Sequence, residues 1–183
     1  MKTKTLFLLP AVMLLFSVSS CKKGANDPAF PFSSRDARIT ADWVLNSLNQ
    51  TTVHTETVGD NTYTSTTTYV FDGTTMKKSS ENGFGTQEES YPYSYEIIIN
   101  EDGTYNETVN EDGEKTEKTD YWFWANSDKS KIAITFDGIG TFMIDRLAKD
   151  ELVLFRSIVS SNTDTDGNTT VDKTDITMIF SKK

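Results

Sequence analysis

The chain carries one histidine and one cysteine, which narrows the reactions its side chains could perform. His54 sits in Val53-His54-Thr55-Glu56-Thr57, a polar setting of the kind found on a solvated strand. Nucleophilic catalysis needs a His base beside a Ser or Cys nucleophile, and the chain has no G-x-S-x-G elbow. His54 is read as a surface residue, and no catalytic residue is assigned. Asn162-Thr163-Asp164-Thr165-Asp166-Gly167 has the first half of a calcium loop, with oxygen ligands at alternate positions. The twelfth position should be a bidentate Glu and is Lys173. A hairpin loop whose Asp and Asn side chains serve the local backbone is the better account, so no metal or cofactor is expected. Glu88 and Glu89 are adjacent and would point to opposite faces of a strand. Glycoside hydrolysis by paired carboxylates therefore has no positive signal.

The side chains best suited to hold a ligand are aromatic. Alternation along Tyr121-Trp122-Phe123-Trp124 puts Trp122 and Trp124 on one face and Tyr121 and Phe123 on the other. One face packs a core, or lines a pocket or offers a flat platform for sugar rings. Arg156 shares its phase with Leu152, Leu154 and Ile158. An inward Arg156 could anchor an anionic ligand. Trp43, Trp122, Trp124 and Arg156 are the expected ligand-binding residues.

The most specific stretch is at the N-terminus. Lys2 and Lys4 precede an apolar run over residues 6–18, interrupted only by Pro10 and Ser17. As a helix that run spans about 20 Å, short of the ~30 Å hydrocarbon core, so it reads as a signal segment and not a spanning helix. Val18-Ser19-Ser20-Cys21 follows. It resembles the lipobox of bacterial lipoproteins, an aliphatic residue and two small residues before a Cys at the cleavage point. That resemblance implies acyl chains on Cys21 and a membrane as partner. Each buried acyl CH₂ contributes ~0.8 kcal/mol, so two or three chains would hold the protein on a bilayer almost permanently. An ordinary secretory signal with a Cys nearby is the alternative.

The elements that position these residues begin after the signal. Residues 1–20 are the expected signal peptide, 21–38 a flexible tether broken by Gly24, Pro28 and Pro31, and 39–183 one folded domain. Within 183 residues, 11 Phe, 7 Tyr and 3 Trp are too many large apolar groups to leave in water, so disorder is excluded. A single Cys excludes a disulfide scaffold and a thiolate metal site. Net charge is −9, and −11 once residues 1–20 take Lys2 and Lys4 away with no acid. Nucleic acid is excluded as a partner, because phosphate binding needs a basic footprint.

Period-two alternation is clear in Tyr93, Tyr95, Ile97 and Ile99, in Ile132, Ile134 and Phe136, and in Ile176, Met178 and Phe180. The run over residues 152–159 is apolar on both phases except Arg156 and Ser157, as expected of a strand covered on both sides. Residues 63–71 are Thr-rich and suit a solvated strand. Turn chemistry recurs at Gly59-Asp60-Asn61, Asp72-Gly73, Asn82-Gly83, Asp102-Gly103, Asp112-Gly113, Asp137-Gly138 and Asp166-Gly167. No segment between them suits a crossover helix, and the weak helical signal over residues 34–48 turns into the first strand in its second half. The expectation is all-β: an antiparallel up-and-down barrel of about 8–10 strands, with a two-sheet sandwich second.

Several short motifs in this body resemble the lipocalin-like domains of gram-negative bacterial lipoproteins. They are Trp43 opening the first strand, Asp102-Gly103-Thr104-Tyr105, the strand with Trp122 and Trp124, Ile144-x-x-Leu147, Leu152-Val153-Leu154 and Phe180-Ser181-Lys182. Where classical lipocalins begin Gly-x-Trp, this chain has Ala41-Asp42-Trp43. The resemblance implies a calycin-type barrel whose floor Arg156 would cap over Trp43. By analogy it implies a binding role. The expected protein is a lipid-anchored outer-membrane lipoprotein that holds a small or hydrophobic ligand. Its runner-up is an accessory lipoprotein that binds a protein or glycan through its surface, with no internal pocket. Lys22-Lys23-Gly24-Ala25 lacks the acids sometimes found after the Cys of surface-exposed lipoproteins, which favours the periplasmic face.

Overall fold

The computed structural model describes residues 26–28, 33–136 and 139–183. Cys21 and the residues around it, Phe30-Pro31-Phe32 and the Asp137-Gly138 turn lie outside these. Among the described residues, a turn and a half of helix, α1 (Arg35–Ile39), precedes ten strands. They are β1 (Asp42–Val58), β2 (Asn61–Phe71), β3 (Thr75–Asn82), β4 (Gly85–Ile99), β5 (Thr104–Glu111), β6 (Glu114–Trp124), β7 (Lys131–Phe136), β8 (Ile139–Leu147), β9 (Glu151–Thr163) and β10 (Thr169–Lys182). Each pairs antiparallel with its chain neighbours, and β10 returns to β1, so the sheet closes into a ring. Closure removes the two outer edges that an open sheet or a sandwich would leave.

The hairpins follow the turn chemistry. At the β2–β3 turn Asp72 Oδ1 accepts from the amides of Thr74 and Thr75 at 3.0 and 2.9 Å. Gly73 there has φ +100°, and a Cβ would meet the Asn46 carbonyl oxygen at 3.4 Å. Two connections carry none of the expected glycine turn signals. Asn126 organises the β6–β7 turn instead, its Oδ1 accepting from the Ser130 and Lys131 amides at 3.1 and 3.0 Å. In the β8–β9 turn Ala148 donates to the Glu151 carbonyl at 2.8 Å.

One departure from simple succession shapes the interior. At its start β1 pairs directly with β4, Trp43 opposite Ile97 and Val44 opposite Glu96. The β1–β10 register then shifts between Leu45 and Ser47, and from Leu48 onward β1 pairs with β2, Leu48 opposite Phe71. The β2–β3 hairpin is thus driven as a wedge between β1 and β4. At one end the ring runs through eight strands, the ten less β2 and β3; further along it runs through all ten. Diameter grows with strand number, and about eight strands leave an interior that side chains can just fill.

The narrow end is filled. Trp43, Leu45, Ile97, Ile99, Tyr105, Ile132, Leu152 and Phe180 are each 0–2% exposed. Each large apolar side chain so buried contributes roughly 1.5–3 kcal/mol. The helix α1 closes this end: Ser34 Oγ caps it by accepting from the Ala37 amide at 3.1 Å. Trp43 Nε1 donates to the Ile39 carbonyl at 2.8 Å, and Arg38 donates to the Leu147 carbonyl.

Part of the segment expected as a tether is packed on this end. Asn26 donates from its amide to the Asp145 carbonyl at 3.1 Å, and its side chain donates to Asp145 Oδ2 at 2.8 Å. Asp27 is buried, ion-paired with buried Arg35, and its Oδ1 accepts from the Leu147 amide at 2.8 Å. The expectation that residues 152–159 are covered on both sides does not hold. Leu152 and Leu154 are buried, but Val153 and Phe155 are only half-buried and Val159 is 65% exposed. The cause is the ring itself, which has a single interior and no outer layer.

Candidate functional site

Where the ring widens, the inward positions of β4 change from isoleucine to tyrosine. β4 contributes Tyr91, Tyr93 and Tyr95, with Ile97 and Ile99 continuing the same phase into the filled end. β2 contributes Tyr69, and β3 contributes Met76 opposite Tyr91. These side chains wall a cavity of 400 Å³. Leu48 and Gln50 of β1 complete the wall on one side, and Ile176 and Met178 of β10 lie next to them. Across the cavity stand Glu107, Val109 and Glu111 of β5 and Phe142 of β8. The volume falls within the range of small-molecule pockets, apolar in body with few polar groups.

Packing fixes the tyrosine rings. Phe71 meets Tyr93 edge-on, centroids 5.3 Å apart at 75°, and Tyr95 tilts against Phe180 at 5.9 Å. Burial, with Glu111 adding to it, pushes Tyr91 up to about 12. Burial also raises Tyr93 and Tyr95 above the ordinary phenol value. All three phenols are neutral at physiological pH and can both donate and accept. Glu111 flanks the β5–β6 turn, which lies at the end of the ring opposite α1. The polar side of the cavity is therefore the side nearest the open rim. A second depression of 520 Å³ over β2, β3 and β4 is walled by Lys77, Lys78, Glu88, Glu89 and hydroxyl side chains. It lacks the aromatic lining of the interior cavity.

The expected ligand residues lie around the cavity, not on its wall. Trp43 is 1% exposed in the filled end. Trp122 and Trp124 share one face, as alternation requires, and pack edge to face at 5.7 Å and 85°. Trp122 Nε1 donates to the Asn100 carbonyl at 2.8 Å, and Trp124 Nε1 to Asp36 Oδ1 at 2.7 Å. Both indoles thus spend their polar atoms on the β4–β5 turn and on α1. Arg156 lies over the Phe142 ring, 5.9 Å from its centroid, and not over Trp43, where the Ile39 carbonyl takes the place of the expected cap. Arg156 Nη1 is buried without a hydrogen-bond partner among the described residues. His54 pairs with Asp172 at 2.7 Å, both side chains 45% exposed.

The cavity wall itself was visible only as a strand. The one sequence signal for it is that a single phase of β4 changes from Tyr91, Tyr93 and Tyr95 to Ile97 and Ile99. Hydroxyls on a buried phase mark the place where the interior is not simply filled with oil. Among the described residues no group of three or more His, Cys, Asp or Glu could hold a metal ion. Asp164, the best metal candidate, instead serves its own turn: Oδ1 accepts from the amides of Asp166 and Asn168, each at 2.9 Å. Compared with known proteins, the chain matches no family model, no curated protein and no solved structure.

Proposed function

We propose that this chain is a lipid-anchored envelope protein whose barrel, lipocalin-like in plan, holds a small ligand at its widened end. The observation that carries the reading is the tyrosine-walled cavity of 400 Å³ between the β2–β3 wedge and β5. Its chemistry defines a ligand class. Leu48, Met76, Ile176 and Met178 suit an apolar or aromatic body, which the tyrosine rings can also stack upon. Glu107 and Glu111 accept hydrogen bonds, so a ligand bearing hydroxyl or amine donors fits better than an anion. The signal segment and Cys21 support the anchor, and the lysines after Cys21 support the periplasmic side of an outer membrane. A partner-binding body with a filled interior has less support, because the interior is filled only at the α1 end.

Extraction of the purified protein into organic solvent, followed by mass spectrometry, tests this reading. A small molecule present with wild type and absent with Met178→Trp, which fills the cavity, is the expected result. A molecule retained equally by both proteins, or none with either and no uptake of apolar amine dyes, would overturn it.

A further inference from the structure

The outer wall of β6, β7 and β8 carries an apolar patch that the interior does not explain. Tyr121 is 69% exposed, Phe123 62% and Met143 52%. Phe123 lies opposite Ala133 of β7, and Ala133 opposite Thr141 of β8. One row further, Lys131 and half-buried Phe155 flank Met143 in register. These residues form one outward surface close to the end that α1 closes.

The first described residues lie beside this patch. Asn26 is held on Asp145, two residues along β8 from Met143, and accepts from Arg146 Nη1 at 3.0 Å through its carbonyl. Even fully extended, the chain between Cys21 and Asn26 spans at most about 17–18 Å. An acylated Cys21 would therefore hold the wall near Asp145 within that distance of the bilayer surface. Outside the patch Val159 is 65% and Tyr63 60% exposed, and the most exposed apolar residue among those described is Phe84, at the β3–β4 turn. It lies at the opposite end: β4 runs from Gly85 to Ile99, about 50 Å at ~3.3 Å per residue. The tether is too short to bring that tip to the same surface while the barrel stands on its anchor.

Charge opposes this placement less than the acidic total suggests. Of the acids near the patch, Asp36 is paired with Lys129 and Glu151 with Arg146, while Asp145, bonded to Asn26, keeps its charge. Asp128 accepts from the Ser130 amide and hydroxyl. Lys131 is exposed beside Met143, and Lys22 and Lys23 fall in the short span after Cys21. Aromatic rings sit well at the headgroup level, and basic residues are attracted to anionic lipid.

We propose that the outer face of β6–β7–β8, with Tyr121, Phe123 and Met143, rests in the headgroup layer of the membrane that holds Cys21. The open rim of the cavity then lies at the end of the ring farther from the anchor. This rests on the anchored reading above, and the test separates the two. The full-length gene is expressed with Thr141→Cys or Thr86→Cys, and the mature protein is purified with its own modification. It is spin-labelled and placed in vesicles of phosphatidylethanolamine with a minority of phosphatidylglycerol. Thr141 and Thr86 are both exposed, one in the Phe123 row and the other beside Phe84.

Intact mass decides whether Cys21 is acylated, and collisions with oxygen relative to a water-soluble nickel complex report depth. The expected result is an acylated protein whose 141 label shows a ratio several-fold above that of the 86 label. A Phe123→Ser background should lower the 141 ratio without detaching the protein. An acylated protein with both labels in water, or with only the 86 label at lipid depth, overturns this face and leaves the anchor standing. A mature protein without acyl groups overturns both.

Discussion

Trp43 and Ile97 face each other directly across the β1–β4 ladder, although the β2–β3 hairpin separates their strands along the chain and, from Leu48 onward, in space. This pair marks the narrow end of a ring that widens by two strands. Filled core and cavity follow from the same geometry. Where eight strands close, Trp43, Phe180 and the isoleucines occupy all the room. Where ten close, the inward side chains no longer reach across.

The narrow end should be the less tolerant of loss. Trp43→Ala removes a fully buried indole and leaves the Ile39 carbonyl without its donor. A cost of about 3–5 kcal/mol is expected in urea unfolding. Leu48→Ala, beside an existing cavity, should fall at the low end of the range for such truncations, about 2 kcal/mol. Equal costs at both positions would contradict the contrast between the two ends.

The docked N-terminal segment is held by a buried ion pair. Asp27→Ala strands Arg35 in the interior and takes an acceptor from the Leu147 amide. Loss of one partner of such a pair costs about 3–5 kcal/mol. Hydrogen exchange at Leu147 should accelerate in the variant. Unchanged exchange there would mean that residues 26–27 do not cover the end of β8.

The tyrosines give the stability a sign in alkali. Burial raises Tyr91 to about 12 from 10.0, and Tyr93 and Tyr95 also lie above 10.0. Folding favours the neutral phenol, so this contribution is whole below the unfolded value and is lost as pH rises through the folded ones. Unfolding free energy should fall from about pH 10 upward, and less steeply in Tyr93→Phe. Parallel profiles for the two proteins would refute the assignment.

At the tip of the wedge, Gly73 has φ +100° beside the Asn46 carbonyl. Gly73→Ala should cost about 1–2 kcal/mol by forcing an L-residue into that region. Gly59, in open space at φ +58°, should tolerate Asn with little loss, since Asn visits the left-handed region readily. Thermal denaturation of the two variants compares them directly.

Much of the fold was legible because a ring of hairpins is written locally. Alternation in Tyr93, Tyr95, Ile97 and Ile99 set the inward phase of β4, and Asp-Gly pairs marked most turns. The turns at Asn126 and Ala148 were hidden because side-chain and backbone bonds, not a glycine, reverse the chain there. The wedge was hidden for a different reason. Whether β1 pairs with β2 or β4 depends on contacts far apart in sequence, and Trp43 opposite Ile97 leaves no local trace. So the cavity could not be placed, and the tryptophans, the largest side chains, were expected on its wall. Trp43 and Trp122 are instead buried in the core, and Trp124 packs against it partly exposed.

The most direct measurement is methyl NMR of the wild-type protein titrated with aminoanthracene, a flat apolar amine of the proposed ligand class. Saturable shifts are predicted for the methyls of Leu48, Met76, Ile176 and Met178, with those of Ile132, Ile134 and Leu152 unmoved. Shifts confined to Met143 on the outer wall, or to the isoleucines of the narrow end, would contradict an interior binding site at the widened end of the ring.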